Sequence, residues 1–338
     1  KIICNIYPYV GTFQELYGSA LTRDGVHYIG SFLCYAFGMA QDVLARADAM
    51  YWVKQQGGIP AMDLSDIQKY PKVKKAGDFL IDMFQAGGFP MMVGNASGGP
   101  HTGFREGNQR QNKLSSQQAF RLWGDKRHAW LLKNRFGDTR PEVAAACAET
   151  KDPILHNYSR VLAGAGAAVI ETGSEETDIF KKGATFLRLG VGQGHAHSDG
   201  LDLNWFNGGL PLAADLACRN EGSFWSQPSG SSRFLHNHAM ATDSLNPKAT
   251  SMDSEPYITA FEPPLMRAYS ANTDNSIILR RDVYTMEIGD TKANYVFDMQ
   301  YLTGKAYHTW CFHGVESDPY DTLSINTQMN PAETHPWL

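Results

Sequence analysis

The apolar positions divide the chain into two regions of different period. Over Phe32–Gln56, Leu33, Ala36, Phe37, Ala40, Val43, Leu44, Ala47, Met50 and Tyr51 recur at steps of three and four, one face of a helix. Gly57-Gly58 and Pro60 stop it. Val73, Ala76, Phe79, Leu80 and Met83 repeat the spacing over Pro71–Ala86, before Gly87-Gly88. Shorter helical patterns cover Ser115–Leu122 and Arg140–Thr150. From about residue 155 the pattern changes to short apolar runs bounded by Gly or Asn, which predict strands at Ala167–Glu171, Ala184–Leu189, Leu201–Phe206 and Leu210–Ala214. Asn207-Gly208-Gly209 between the last two reads as a hairpin turn. Further strands are predicted at Ser276–Arg281, Val283–Ile288, Asn294–Met299 and His308–His313. Helices followed by antiparallel strands predict an α+β chain. The change falls in the polar stretch Thr139–Asp152, giving a helical part, 1–150, and a strand part, 151–338.

Composition narrows the function. The 338 residues are 43% hydrophobic, enough for two domains with sizeable cores. The net charge of −5 excludes a general basic field, so nucleic acid is not the expected partner. An anionic ligand would have to be held by local Arg, Lys and His. No apolar run reaches the ~18 residues of a membrane span. Phe32–Tyr51 comes nearest and is interrupted by Gln41, Asp42, Arg46 and Asp48. The five cysteines are scattered and form no CxxC pair, which predicts neither a disulfide framework nor a thiolate zinc site. Lys1–Ile6 lack the features of a signal peptide, and the chain is read as a mature or truncated piece of a longer protein.

The candidate chemistry lies in Gly192–Leu201, which contains His195-Ala196-His197. In a strand, residues two apart face the same way, so both imidazoles can enter one cleft. Asp215 ends the run Leu210–Ala214, which folds back across the Asn207–Gly209 turn toward the histidines. His236-Asn237-His238 follows, after Arg233. Two or three imidazoles with one carboxylate are a usual ligand set for zinc or a similar divalent ion. Spacing alone leaves a plainer reading open, an HxH pair at the surface and His238 a satisfied polar residue near a sheet edge.

The order of these segments resembles the heparinase II/III-like polysaccharide lyases. That family has a strand opening on Gly-His-X-His, an apolar strand ending in Asp, and a His-Asn-Thr-type motif preceded by Arg. Here these are Gly194–Asp199, Pro211–Asp215 and Arg233–Asn237, with His238 in place of Thr. Ala165–Gly173 resembles the family's first strand, and Phe89–Gly99 the segment closing its helical domain. The resemblance implies an incomplete (α/α) toroid followed by an antiparallel β-sandwich, with the substrate cleft between them. It also implies that His195 faces substrate while His197, Asp215 and His236 hold a structural zinc. The segment Asp24–Tyr35 fits the form that carries the family's catalytic tyrosine, with Ile29 where Glu is usual; Tyr35 is the first candidate and Tyr28 the second. The family's further Asn or His from an earlier toroid helix has no good match and is expected upstream of Lys1.

The implied activity is β-elimination on a uronic-acid polysaccharide, and the implied location is periplasmic or extracellular. Arg105, Arg219 and Arg233 are candidate grips for carboxylate or sulfate, and Trp225 is a candidate stacking platform for a sugar ring. Each has an equally plain reading as a solvated or packed residue. Two other functions fit the same resemblance: a uronyl C5-epimerase of the dermatan sulfate epimerase type, which returns the proton and leaves the chain intact, and a non-catalytic carbohydrate-binding protein.

Overall fold

The computed structural model describes residues 21–27, 36–57, 67, 70–94, 113–190, 197, 199–215, 236–242, 256–272, 274–289 and 293–314. Among the described residues five helices come first: α1 (Phe37–Gln55), α2 (Pro71–Asp82), α3 (Lys113–Trp123), α4 (Lys126–Asn134) and α5 (Pro141–Ala146). The predicted faces are the buried ones. Ala40, Val43, Leu44 and Ala47 of α1 pack in one core with Val73, Ala76, Phe79 and Leu80 of α2. The short helix α4 was not anticipated. Asp125 caps it by accepting from the Arg127 amide at 2.9 Å, and Gly124 at φ 63° separates it from α3.

Helix α2 ends at Asp82 and does not run on to Ala86. Phe84–Gln85 (β1) instead pairs with Phe89–Pro90 (β2) across a turn in which Gly87 and Gly88 take positive φ. The helix can stop there because its last carbonyls find other donors. Asn157 Nδ2 donates to Ile81 O and Phe84 O, and the Arg160 guanidinium donates to Asp82 O and Phe84 O.

A five-stranded antiparallel meander follows, β3 (Arg160–Leu162), β4 (Ala167–Thr172), β5 (Gly183–Arg188), β6 (Leu203–Asn207) and β7 (Leu210–Ala213), paired in chain order. Both of its faces are covered. Ala167, Val169, Ala184, Phe186 and Phe206 join the helical core, while Ala168, Ile170, Leu187 and Leu203 join a second core behind the sheet. That explains why these strands read as continuous apolar runs. The β6–β7 loop is Gly208-Gly209, both at positive φ (61° and 75°), as a tight two-residue hairpin turn requires.

The second core is closed by a four-stranded antiparallel sheet of order β12-β11-β10-β9, made of β9 (Tyr257–Glu262), β10 (Leu265–Ala271), β11 (Ile278–Ile288) and β12 (Ala293–Thr303). Met266, Ala268, Leu279 and Val283 are its inward residues. Two strands were expected where β11 runs as one. Asp282 broke the apolar pattern, but Arg267 on β10 grips its carboxylate at 2.8 and 2.7 Å, so the strand passes through. A small sheet pairs β8 (Ala239–Thr242) with β13 (Tyr307–Trp310).

Buried polar contacts fasten the layers. Glu171 on β4 pairs with Arg160 at 3.0 Å and accepts from the Ala86 amide at 2.9 Å. Arg188 on β5 lies 3.3 Å from Asp199 and donates to the carbonyls of Ala165, Gly166 and Leu189. Asp199 in turn accepts from the Gly94 amide at 3.2 Å, joining the β2 end of the helical part to the sheets. Arg188→Met would leave a buried carboxylate without its cation, so the unfolding free energy in a denaturant titration is expected to fall by about 3–5 kcal/mol. Arg121→Met removes a surface pair with Asp48 and is expected to lower it by less than about 1 kcal/mol. Equal losses in the two variants would overturn this ranking.

Candidate metal centre

Three polar side chains interrupt the apolar sequence where β6, β7 and β8 converge. Asp202 and Asn204 are two apart along an extended segment and face the same way. Just before them Leu201 takes φ 66°, a left-handed conformation costing an L residue about 1–2 kcal/mol. Its surroundings hold it there. Leu201 N donates to Arg188 O at 2.9 Å, Leu201 O accepts from the Arg281 guanidinium, and Asp202 N donates to Asp199 O at 2.9 Å. The kink directs Asp202 toward the residues that end β7 and precede β8.

Asp202, Asp215 and His236 each offer a donor atom, and these atoms lie within 4.8 Å of one another, all buried. His236 Nδ1 is 3.5 Å from Asp215 Oδ2 and 3.9 Å from Asp202 Oδ2. The buried His197 ring lies beside it, with ring centroids 5.7 Å apart. Two asparagines frame the cluster. Asn204 donates to Asp202 Oδ2 at 2.8 Å and accepts from the Asp215 amide at 3.0 Å. The Asn237 amide donates to Asp202 Oδ1, its Nδ2 donates to Leu203 O at 3.0 Å and Ala214 O at 3.4 Å, and its Oδ1 accepts from the His313 amide. His238 Nδ1 lies 3.1 Å from Gly200 O.

The electrostatics follow from burial. Desolvation draws the His236 pKa down, but the carboxylates of Asp215, Asp202 and Asp199 outweigh it and push the imidazole up to about 9. Burial, followed by the Asp215 charge, pushes Asp202 up to about 7. Burial lowers His197, with Asp215 opposing. Two acids therefore face one imidazolium in a dry site. Neither nitrogen of His236 has a hydrogen-bond partner among the described residues. Two carboxylates, an imidazole that offers a nitrogen lone pair once an incoming cation displaces its proton, and a second imidazole alongside make a donor set that fits a zinc-like divalent ion.

Of the ligands named from the sequence, the structure brings Asp215 and His236 into one group and sets His197 next to it. Asp202 was missed. Its signal was present, an acid inside the predicted strand Leu201–Phe206 and in phase with Asn204. The candidate catalytic residues Tyr28, Tyr35 and His195 lie outside the described residues, as do the candidate substrate-binding residues Arg105, Arg219, Trp225 and Arg233. The start of the tyrosine segment is anchored: Asp24 accepts from the amides of Gly164 and Ala165 at the β3–β4 turn.

No protein-family model and no curated protein matches the sequence. Among solved structures the chain is similar to heparinase III, at 13% identity and a TM-score of 0.52, over 80% of this chain and 40% of that one. It is also similar to the heparan sulfate lyase HepC from Pedobacter heparinus, at 13% identity and a TM-score of 0.44, over 82% of this chain and 41% of that one. The chain thus spans about two fifths of the length of these proteins. The likeness to heparinase III over 80% of this chain makes its helices and two packed antiparallel sheets heparinase-like in fold.

Proposed function

We propose that the protein is a polysaccharide lyase that cleaves a uronic-acid polymer by β-elimination, and that its described helices are the end of an (α/α) toroid. The observation that carries this reading is the buried cluster of Asp202, Asp215 and His236, with His197 beside it, on a heparinase-like fold. His197 lies two residues after His195, so whatever fixes His197 also aims His195.

The reaction needs three tasks. The proton on C5 of a uronate is weakly acidic while the adjacent carboxylate keeps its charge, so donors must neutralise that charge and stabilise the enolate-like intermediate. A base removes the proton, and the electron pair forms the C4–C5 double bond. The C4–O bond breaks, and an acid protonates the departing oxygen. Tyr35 is assigned as the acid, with Tyr28 second, and His195 as base or carboxylate holder. Arg105, Arg219 and Arg233 are assigned to the anionic groups of the polymer and Trp225 to a sugar ring. A zinc-like ion held by Asp202, Asp215 and His236, with His197, would supply the positive charge that these buried acids lack and fix the segment that presents His195. The substrate class is an anionic uronan such as heparan sulfate, alginate or dermatan sulfate. A periplasmic or extracellular location belongs with that reading; no described helix is long and apolar enough to cross a membrane.

The deciding assay is ultraviolet absorbance of the unsaturated uronate formed when the whole protein is incubated with a panel of uronans. A rise is expected for at least one polymer. Exchange of the C5 proton with solvent and no rise would favour the epimerase, and binding with neither would leave a carbohydrate-binding protein.

Two sets of variants test the assignments. Elemental analysis is expected to find about one zinc-like ion per chain, and chelation to lower the melting temperature, because an ion bound only by the native state adds to folding free energy. His236→Ala and His197→Ala are expected to lose ion and stability together, while His195→Ala keeps both and loses most turnover. Identical behaviour of His195→Ala and His197→Ala would remove the division of labour. Tyr35→Phe is expected to fold normally and slow turnover by at least ~10²-fold with little change in substrate affinity. Near-normal turnover in both Tyr35→Phe and Tyr28→Phe would take tyrosine out of the mechanism.

A further inference from the structure

The outer face of the β9–β12 sheet, turned away from the second core, carries a row of side chains fixed by strand register. Tyr301 on β12 is opposite Arg280 on β11, Arg280 is opposite Tyr269 on β10, and Tyr269 is opposite Tyr257 on β9. The row crosses all four strands, roughly 14 Å at ~4.8 Å per strand. Tyr301 and Tyr257 are each more than half exposed at its two ends. The Arg280 guanidinium lies 5.8 Å from the centre of the Tyr301 ring, and the rings of Tyr257 and Tyr269 are 5.7 Å apart. A second aromatic pair, Tyr284 and Phe297, lies further along the same two strands, with ring centroids 6.4 Å apart.

Between the two sits an unequal set of charges. Asp282 is gripped by Arg267 at 2.8 and 2.7 Å and lies 3.4 Å from Arg280 Nε. One carboxylate against two guanidiniums leaves this part of the face positive. An exposed face of this kind marks a binding surface. Tyrosine rings offer flat apolar area with a hydroxyl at the rim, which suits the C–H face and the hydroxyls of a sugar. Arginine suits a carboxylate or sulfate. A long, flat, aromatic and cationic surface therefore matches an extended anionic glycan better than a compact ligand.

We propose that this outer face is a second binding site for an anionic polysaccharide, in which the Tyr301–Arg280–Tyr269–Tyr257 row holds the polymer on the sheet opposite the one that carries the metal-capable cluster. The inference rests on the polysaccharide reading but not on catalysis, and its test separates the two. The whole protein carrying His195→Ala, so that polymer is not consumed, is titrated with long-chain heparan sulfate and, separately, with a heparan sulfate disaccharide. Adding Tyr301→Ala and Arg280→Ala is expected to weaken binding of the long chain roughly tenfold, a loss of about 1.4 kcal/mol. Binding of the disaccharide, too short to span the row, and the melting temperature are expected to stay unchanged. Neutral dextran is expected not to bind. The result that overturns the proposal is equal long-chain affinity with and without the two substitutions, or dextran binding that matches heparan sulfate. A wild-type dimer in sedimentation that the two substitutions convert to monomer, with glycan affinity unchanged, would make the face a contact between copies and also overturn it. Loss of long-chain affinity in these variants, together with no unsaturated product from the protein that keeps His195, would keep this site and remove the lyase reading alone.

Discussion

Two carboxylates buried within reach of each other set the terms for the surrounding structure. Asp202 and Asp215 lie in the dry region where β6, β7 and β8 meet, with one strongly basic imidazole between them. An ionised carboxylate taken out of water loses several kcal/mol of solvation unless donors and countercharge replace it. The neighbouring polar groups answer that demand. Asn204 and Asn237 supply neutral donors, and Asn237 ties three separate segments to the site through its own backbone and side chain. Arg281, fully buried and held by Asp298 at 2.8 and 2.7 Å, reaches back to the carbonyls of Leu201 and Asn237 and holds the backbone on both sides of the cluster. The left-handed turn at Leu201 persists because these contacts over-determine it. A helix–sheet scaffold needing only a core would not spend so many buried polar groups here.

Much of this was legible in the sequence where burial is one-sided or periodic. The α1 and α2 faces, the β4–β7 runs and the Gly208-Gly209 turn follow from spacing and backbone preference. Two of the failures share a cause, which is that distant partners changed what a residue could tolerate. Asp282 reads as the end of a strand until Arg267 neutralises it, and Phe84–Gln85 reads as helix until Asn157 and Arg160 take up the Ile81 and Asp82 carbonyls of the last turn. Strands β9 and β10 were missed because one face is inward and the other bears tyrosine and arginine, so neither looks like an apolar run. At the site, the two histidines and Asp215 stand out by residue type. Asp202 does not, because only the fold brings it to His236, across 34 residues of chain.

The β3–β7 sheet gives the site its rigidity. Covered by helices on one face and by the β9–β12 sheet on the other, it contributes to two cores at once. Residues at its end are therefore held by packing from both sides, and a substitution in either core is transmitted to the strands that carry Asp202 and Asp215. Close packing leaves little slack to absorb such a change.

Asp199 also has a mechanical meaning. Its two oxygens are divided between Arg188 in the central sheet and the Gly94 amide at the end of the helical part, and it lies two residues beyond His197. Parting the helices from the sheets at this point would strip the carboxylate of a backbone donor while its buried cation stays behind. The segment that brings His197 to the metal-capable cluster is consequently clamped just beyond it by the same carboxylate that joins the helical part to the central sheet.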